Sequence, residues 1–93
     1  MKNIIKNKDN RYFRTSSFYA AAFLFTKGLE LVNVDRIADL KRAEFVFQDT
    51  SEREFLLHGY DYAKEDAPEV MVDARKLVIA IKALKEKLYQ DKF

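Results

Sequence analysis

The apolar positions of this 93-residue chain fall into strand-like and helix-like segments. Residues 11–15 combine aromatic and basic side chains in a short stretch that is typical of a strand. Eight consecutive apolar residues follow at 18–25, between hydroxyl side chains and Gly28. Because a hydroxyl caps the start of a helix and a glycine closes its end, this run predicts a helix of about three turns, with Thr15 or Ser16 as its N-cap.

The middle of the chain predicts a β-hairpin. Residues 29–34, "LELVNV", are short and rich in strand-forming side chains. In "AEFVFQ", Ala43, Phe45 and Phe47 alternate with residues of the opposite face, which is the period of a strand. The connection between the two strands, residues 35–42, is longer than a tight turn.

Two further helices are predicted in the second half. Ser51 and Glu54 have the spacing of a capping box, so a helix should begin near residue 52 and be ended or weakened by Gly59. Asp73 is the expected N-cap of the last helix. Its apolar stripe recurs at helical spacing and consists of Leu77, Ile81, Leu84 and Leu88.

This order of elements predicts an α+β fold, strand-helix-strand-strand-helix-helix. A small antiparallel sheet of about three strands should pack against two or three helices, because apolar strand faces must be covered. We expect residues 1–10 to be a flexible basic leader and residues 11–93 to form a single domain. The expected core consists of Phe18, Leu24, Phe25, Leu31, Phe45, Phe47, Phe55, Leu77, Ile81 and Leu84.

Composition excludes several classes of protein. The 48% hydrophobic content, with two glycines and one proline, is that of a globular domain. Without cysteine there is neither a disulfide nor a thiolate zinc site, which fits a reducing compartment. The longest apolar run is far shorter than the roughly 20 residues of a membrane helix, and no signal-peptide cleavage pattern precedes it. We therefore expect a cytoplasmic protein with no membrane association.

Catalytic and cofactor-binding patterns are not found in the sequence. His58 is the only histidine, so a multi-histidine metal site is excluded. Ser51, His58 and Asp49 are candidate triad residues, but no nucleophile elbow or oxyanion loop surrounds them. The acidic residues within 61–69 lack the glycine and ligand alternation of a calcium loop and are expected to be solvated. We predict a non-enzymatic protein without cofactor or metal.

Charge suggests one binding function. Residues 49–73 carry eight acids against two bases, whereas both ends of the chain are basic. On the first predicted strand, Tyr12 and Arg14 point to one side and can stack on a base and neutralise a phosphate. The candidate site for single-stranded nucleic acid comprises Arg11, Tyr12, Arg14, Lys82 and Lys85. Arginines that guard an edge strand against pairing would give the same pattern.

The first helix suggests a different function. Phe18 and Phe25 lie on one ridge, and Tyr19 and Phe23 lie on a second ridge roughly 120° away. A helix that is apolar all round is normally buried, so both ridges can belong to the core. If the Tyr19 and Phe23 ridge is instead left open, it forms the interface of a homodimer or of a complex with another protein.

Several core, cap and turn residues resemble a known family. They are Thr15-Ser16, the alanines 20–22 with Leu24, Gly28, "VDR" at 34–36, "FVFQDT" at 45–50, Tyr60 and "VDARKL" at 72–77. The pattern covers about residues 12–89 and is similar to short bacterial and phage-element proteins that are known only as a domain of unknown function. The resemblance implies a shared fold and an accessory protein carried on mobile elements, and it transfers no site residues.

The sequence thus leaves two functional hypotheses. The first is a small non-enzymatic module that binds single-stranded nucleic acid. The alternative is a protein-interaction or homodimerising adaptor module with no nucleic-acid role.

Overall fold

A computed structural model describes residues 11–37 and 42–90. Over these residues the order of elements is the predicted one, and the fold is α+β. The elements are β1 (Tyr12–Thr15), α1 (Phe18–Thr26), β2 (Leu31–Ile37), β3 (Arg42–Gln48), α2 (Arg53–Tyr62), a 3-10 turn (Pro68–Val70) and α3 (Ala74–Gln90). The predicted leader, residues 1–10, and residues 38–41 of the predicted hairpin connection lie outside the described residues.

The three strands form an antiparallel sheet in the order β1-β3-β2. The predicted hairpin of β2 and β3 is confirmed, and β1 pairs with the other edge of β3. In this register Phe13 lies opposite Phe47, and Val34 lies opposite Phe45. Because side chains alternate between the two faces of a strand, these residues share the face that packs against the helices.

Helix α1 begins one residue later than predicted. Ser17 is its N-cap, and the Ser17 hydroxyl accepts a hydrogen bond from the Ala20 N–H at 3.2 Å. The Thr15 hydroxyl instead accepts a hydrogen bond from the Ser17 N–H, so two hydroxyl residues, Thr15 and Ser17, form hydrogen bonds at the start of the helix. The prediction of Thr15 or Ser16 as the cap was therefore wrong, although the cap is a hydroxyl side chain as expected.

The end of α1 is the predicted glycine stop. Gly28 has a φ of +106°, a conformation that favours glycine. The Leu29 N–H bonds to the Leu24 carbonyl and the Gly28 N–H bonds to the Phe25 carbonyl, the two bonds of a Schellman motif. Leu24 and Leu29 are both buried, so the turn also closes an apolar contact beside the core.

Helix α1 is the centre of the core. Residues 20–24 are all buried, because the sheet, α2 and α3 each contact a different side of the helix. Of the predicted core, Leu24, Phe45, Phe47 and Leu84 are almost completely inaccessible, while the remaining correctly predicted members are partly buried. The latter are Phe18, Phe25, Leu31, Leu77 and Ile81.

Phe55 was wrongly assigned to the core. Its side chain is 62% exposed, and the neighbouring Leu56 is buried in its place. Gly59 allows the 3-10 turn to approach this side of α2 closely, because a Cβ at this position would lie 2.8 Å from the Glu69 Cγ. The close approach of the 3-10 turn thus buries the side of α2 that carries Leu56 and Gly59, and the helix continues through the glycine to Tyr62.

The start of α2 does not use the predicted capping box. Glu52 is the cap residue, and its side chain makes no capping hydrogen bond. The preceding turn is held by Asp49, which accepts hydrogen bonds from the Thr50 N–H and from the Arg53 guanidinium. The Thr50 hydroxyl also accepts a hydrogen bond from the Glu52 N–H, so a turn stabilised by a carboxylate and a hydroxyl replaces the Ser51–Glu54 pair.

Helix α3 starts at the predicted cap. The Asp73 carboxylate accepts hydrogen bonds from the Arg75 N–H at 2.8 Å and the Lys76 N–H at 3.2 Å. These two bonds lower the pKa of Asp73, since they favour the charged carboxylate. At the other end, Arg36 donates to the Leu88 carbonyl at 2.8 Å and ties β2 to the last turns of α3.

Candidate functional site

The first candidate site is the sheet face opposite to the core, which carries Tyr12 and Arg14. Both side chains are exposed, and the intervening Phe13 packs against the core, as the strand pattern predicted. The Arg14 Nη1 lies 2.8 Å from the Asp35 Oδ2 and 3.3 Å from the Glu44 Oε1. The hydrogen bond that Arg14 donates to Asp35 is the main cause that raises the pKa of Arg14 above its ordinary value.

The charge of this face is therefore unlike that of a phosphate site. Two carboxylates from β2 and β3 surround the guanidinium of Arg14, so an approaching anion meets a cation that is already compensated. Asn33 adds a further hydrogen bond to Asp35 and orients its carboxylate within the cluster. This cluster joins all three strands across the sheet surface.

The other predicted basic residues lie elsewhere. Arg11 is exposed in the turn before β1, at the end of the strand that carries Tyr12. Lys82 and Lys85 are exposed on α3. The apolar stripe of this helix packs into the core, on the side of the sheet opposite to Tyr12 and Arg14. The structure thus keeps Arg11, Tyr12 and Arg14 close in sequence and space, and it does not join Lys82 and Lys85 to them in one patch.

The second candidate site is a groove between α1, α2 and α3, here named the Tyr19 groove. Its volume is about 350 Å³. Helix α1 supplies one wall, α3 supplies another, and the segment around the 3-10 turn closes the third side. The lining residues are Tyr19, Ala22, Phe23, Tyr60, Val70, Val72, Leu77 and Ile81.

Aromatic packing shapes one end of the Tyr19 groove. The Phe23 and Tyr60 rings lie 5.0 Å apart between centroids, which fixes α1 against α2. The Lys27 Nζ lies 5.7 Å from the centre of the Phe23 ring and donates to the Met71 carbonyl at 2.9 Å. This lysine therefore ties the segment after the 3-10 turn to the end of α1 and holds the groove's third side in place.

The two predicted interface residues have different positions in the Tyr19 groove. Tyr19 is 66% exposed and lies at the rim of the groove, as expected for a tyrosine at a solvent-exposed edge. Phe23 is only 4% exposed, so of the two alternatives this residue belongs to the core and not to an open ridge. Tyr60 covers Phe23 from α2, and the open surface is the groove beside it rather than the ridge itself.

Sequence reasoning missed Tyr60, Val70 and Val72 as lining residues. The signal available for Val70 and Val72 was the apolar triplet "VMV", whose alternation places one side chain outward and two inward. Met71 is indeed exposed, whereas the flanking valines are partly buried against the core. No local pattern indicates that this segment meets α1, because the contact depends on the path of the loop.

Two of the three candidate triad residues, Asp49 and His58, make other contacts. Asp49 binds Arg53 with both carboxylate oxygens, at 3.0 and 3.2 Å, and Arg53 stacks on the Phe13 ring. His58 lies on the exposed side of α2, with its ring 5.1 Å from that of Tyr62. Within residues 11–37 and 42–90 no group of three or more histidine, aspartate or glutamate side chains is placed to hold a metal ion.

The same described part of the chain holds no helix with the length and apolar content needed to span a bilayer.

Comparison with known proteins gives a match to a family model. A family model described as "Domain of unknown function (DUF5659)" matches residues 10–90, which is nearly the whole chain. The resemblance to a family of unknown function is thereby confirmed. No curated protein and no solved structure matches the chain.

Proposed function

Since the chain belongs to the DUF5659 family, whose function is unknown, we propose a role from its own surfaces: it is a non-enzymatic protein-interaction module. The Tyr19 groove receives apolar side chains of a partner protein. The observation that carries this proposal is an open apolar groove of about 350 Å³ with an exposed tyrosine at its rim. A well-formed apolar concavity is the usual place for a binding site.

The lining of the Tyr19 groove favours a protein segment as the ligand. Its side chains are aliphatic or aromatic, and its polar groups are the phenol hydroxyls of Tyr19 and Tyr60. Apolar centres with tyrosine at the edge are typical of protein interfaces, because tyrosine combines a large apolar surface with a polar tip. The volume suits one or two large apolar side chains of a partner.

Binding of single-stranded nucleic acid is the second candidate and the competing hypothesis. Its support is that Tyr12 and Arg14 share an exposed face beside Arg11. It ranks below the protein-interaction role because Asp35 and Glu44 already compensate the charge of Arg14. A cytoplasmic location and an accessory role on mobile elements also stay predictions.

Selection of peptides from a random display library tests the proposed role. We expect the selected peptides to carry closely spaced apolar residues and to bind the purified protein with micromolar affinity. Tyr19→Ala should weaken their binding about fivefold or more, because it removes a large part of the groove's exposed rim. The fold should persist in this variant, since the Tyr19 side chain is mostly in solvent.

Tyr62→Ala is the matched control. Tyr62 is 75% exposed on α2 and does not line the Tyr19 groove, so its removal should leave peptide affinity unchanged. A library that yields no specific peptide, or peptides that bind both variants equally, would contradict the proposed role of the groove.

A further inference from the structure

An exposed aromatic ridge runs along α2 on the side away from the core. Phe55, His58 and Tyr62 recur at helical spacing, and all three are exposed. Glu54 and Asp61 are also exposed and lie along one flank of this ridge. We name these five residues the acidic ridge, because two carboxylates flank its aromatic side chains.

Helix α3 carries an exposed face on which apolar side chains lie between basic ones. Val78 and Ile79 are 50% and 65% exposed, although the other side of the same helix packs into the core. Arg75 and Lys82 lie one turn before and one turn after them, and both are exposed. These four residues, Arg75, Val78, Ile79 and Lys82, are here named the basic face.

The two surfaces match in spacing as well as in charge. Glu54 and Asp61 are seven residues apart, as are Arg75 and Lys82, so each charged pair spans about 10 Å along its helix. On both helices the apolar side chains lie between or beside the charged pair. An antiparallel or parallel crossing of the two helices therefore brings carboxylates and cations together around an apolar centre.

Each surface is also available for such a contact. Within the described part of the chain the Arg75 guanidinium pairs with Asp73 at 3.6 Å, and its side chain is 91% exposed. An ion pair of this kind contributes little and yields readily to a new partner. Large apolar side chains that are exposed in a group on a small domain are typical of an interaction surface.

We propose that a second copy of this chain is the occupant: the acidic ridge of one copy docks on the basic face of another. Contacts between like faces are disfavoured, because two basic faces or two acidic ridges would place equal charges against each other. The contact joins two different surfaces, so a closed pair and a longer assembly both satisfy it. This surface is independent of the Tyr19 groove.

Sedimentation velocity and light scattering from about 5 to 200 µM protein test this proposal. We expect the mean mass to rise above that of the monomer at low salt, and to fall back toward it when salt is raised to about 0.5 M, since salt screens exposed charges. A wild-type chain that stays monomeric throughout this range would overturn the proposal.

Two charge-reversal variants identify the surfaces. The first carries Arg75→Glu with Lys82→Glu, and the second carries Glu54→Lys with Asp61→Lys. Each variant alone should associate about tenfold more weakly or worse, because its altered surface then repels the unaltered surface of its neighbour. An equimolar mixture should recover association, since the reversed surface of one variant complements that of the other.

Three controls separate this proposal from folding defects and from the role of the Tyr19 groove. Circular dichroism should give each variant the helix content of the wild type. Arg11→Glu with Lys87→Glu changes the net charge as much as the first variant and should leave association unchanged, as should Tyr19→Ala. A mixture that fails to associate, or a control that abolishes association, would overturn the pairing of these two surfaces.

Discussion

Replacing Leu84 by alanine tests the position of the core most sharply. Leu84 is completely inaccessible on the inner side of α3, in the cluster that includes Leu24, Phe45 and Phe47. Leu84→Ala removes three buried carbon groups, at about 0.8 kcal/mol each, and leaves a cavity. We expect the free energy of unfolding to fall by about 3 kcal/mol, a large part of the roughly 5–14 kcal/mol available to a chain of this size.

Urea denaturation followed by circular dichroism measures this loss, and Ile79→Ala is the control on the same helix. With a slope of about 1–3 kcal/mol per molar urea, the midpoint for Leu84→Ala should fall by about 1–3 M. Ile79 is mostly exposed, so Ile79→Ala should cost less than about 0.5 kcal/mol. A loss below about 1 kcal/mol for Leu84→Ala, or equal losses at both positions, would refute the assignment of the inner face.

Three other predictions concern a glycine contact, an N-cap and the sheet face. Gly59→Ala should destabilise the protein by about 1 kcal/mol in urea denaturation, because crowding exceeds the gain in helix propensity, and the effect should reverse in a Glu69→Ala background. The lowered pKa of Asp73 means that its carboxylate stabilises the fold above the ordinary aspartate pKa, and that this contribution is lost as the pH falls through the folded value. The stability advantage of wild type over Asp73→Asn should therefore shrink in thermal melts between pH 6 and pH 3. If Tyr12 were a stacking platform, Tyr12→Ala would weaken the binding of a labelled single-stranded oligonucleotide at low salt by about 1–3 kcal/mol. We expect no such loss, since carboxylates compensate the charge of the neighbouring Arg14.

The sequence pattern predicts the order of elements because each has its own strong signal. The apolar run that Gly28 ends, the alternation around Phe45 and Phe47 and the cap at Asp73 are all local features. Their hydrogen bonds in the structure are those that the residue types imply. For these elements, local preference and tertiary packing agree.

The orientation of α2 could not be predicted from its own residues. Phe55, Leu56, Leu57 and Tyr60 spread apolar side chains around much of the helix, so periodicity alone does not choose the inner side. The inner side is the one that Glu69 approaches at Gly59, a contact between segments that are ten residues apart. For the same reason, the exposure of Phe55 and the lining of the Tyr19 groove became visible only in the structure.

The candidate nucleic-acid site shows a related limit. The sequence correctly places Tyr12 and Arg14 on one exposed face of β1. It does not indicate that the register of the sheet brings Asp35 and Glu44 to the same arginine from two other strands. Pairing across strands thus sets the electrostatics around Arg14, which the sequence of β1 alone does not reveal.

Site-specific photo-crosslinking in the cells that naturally produce this protein tests the protein-interaction role most directly. A benzophenone amino acid placed at Tyr19 reports what enters the groove, and the same probe at Tyr12 reports what contacts the sheet face. We predict that irradiation joins the Tyr19 position to a protein and that the Tyr12 position gives no nucleic-acid adduct. A nucleic-acid adduct at Tyr12, with no protein adduct at Tyr19, would contradict the account.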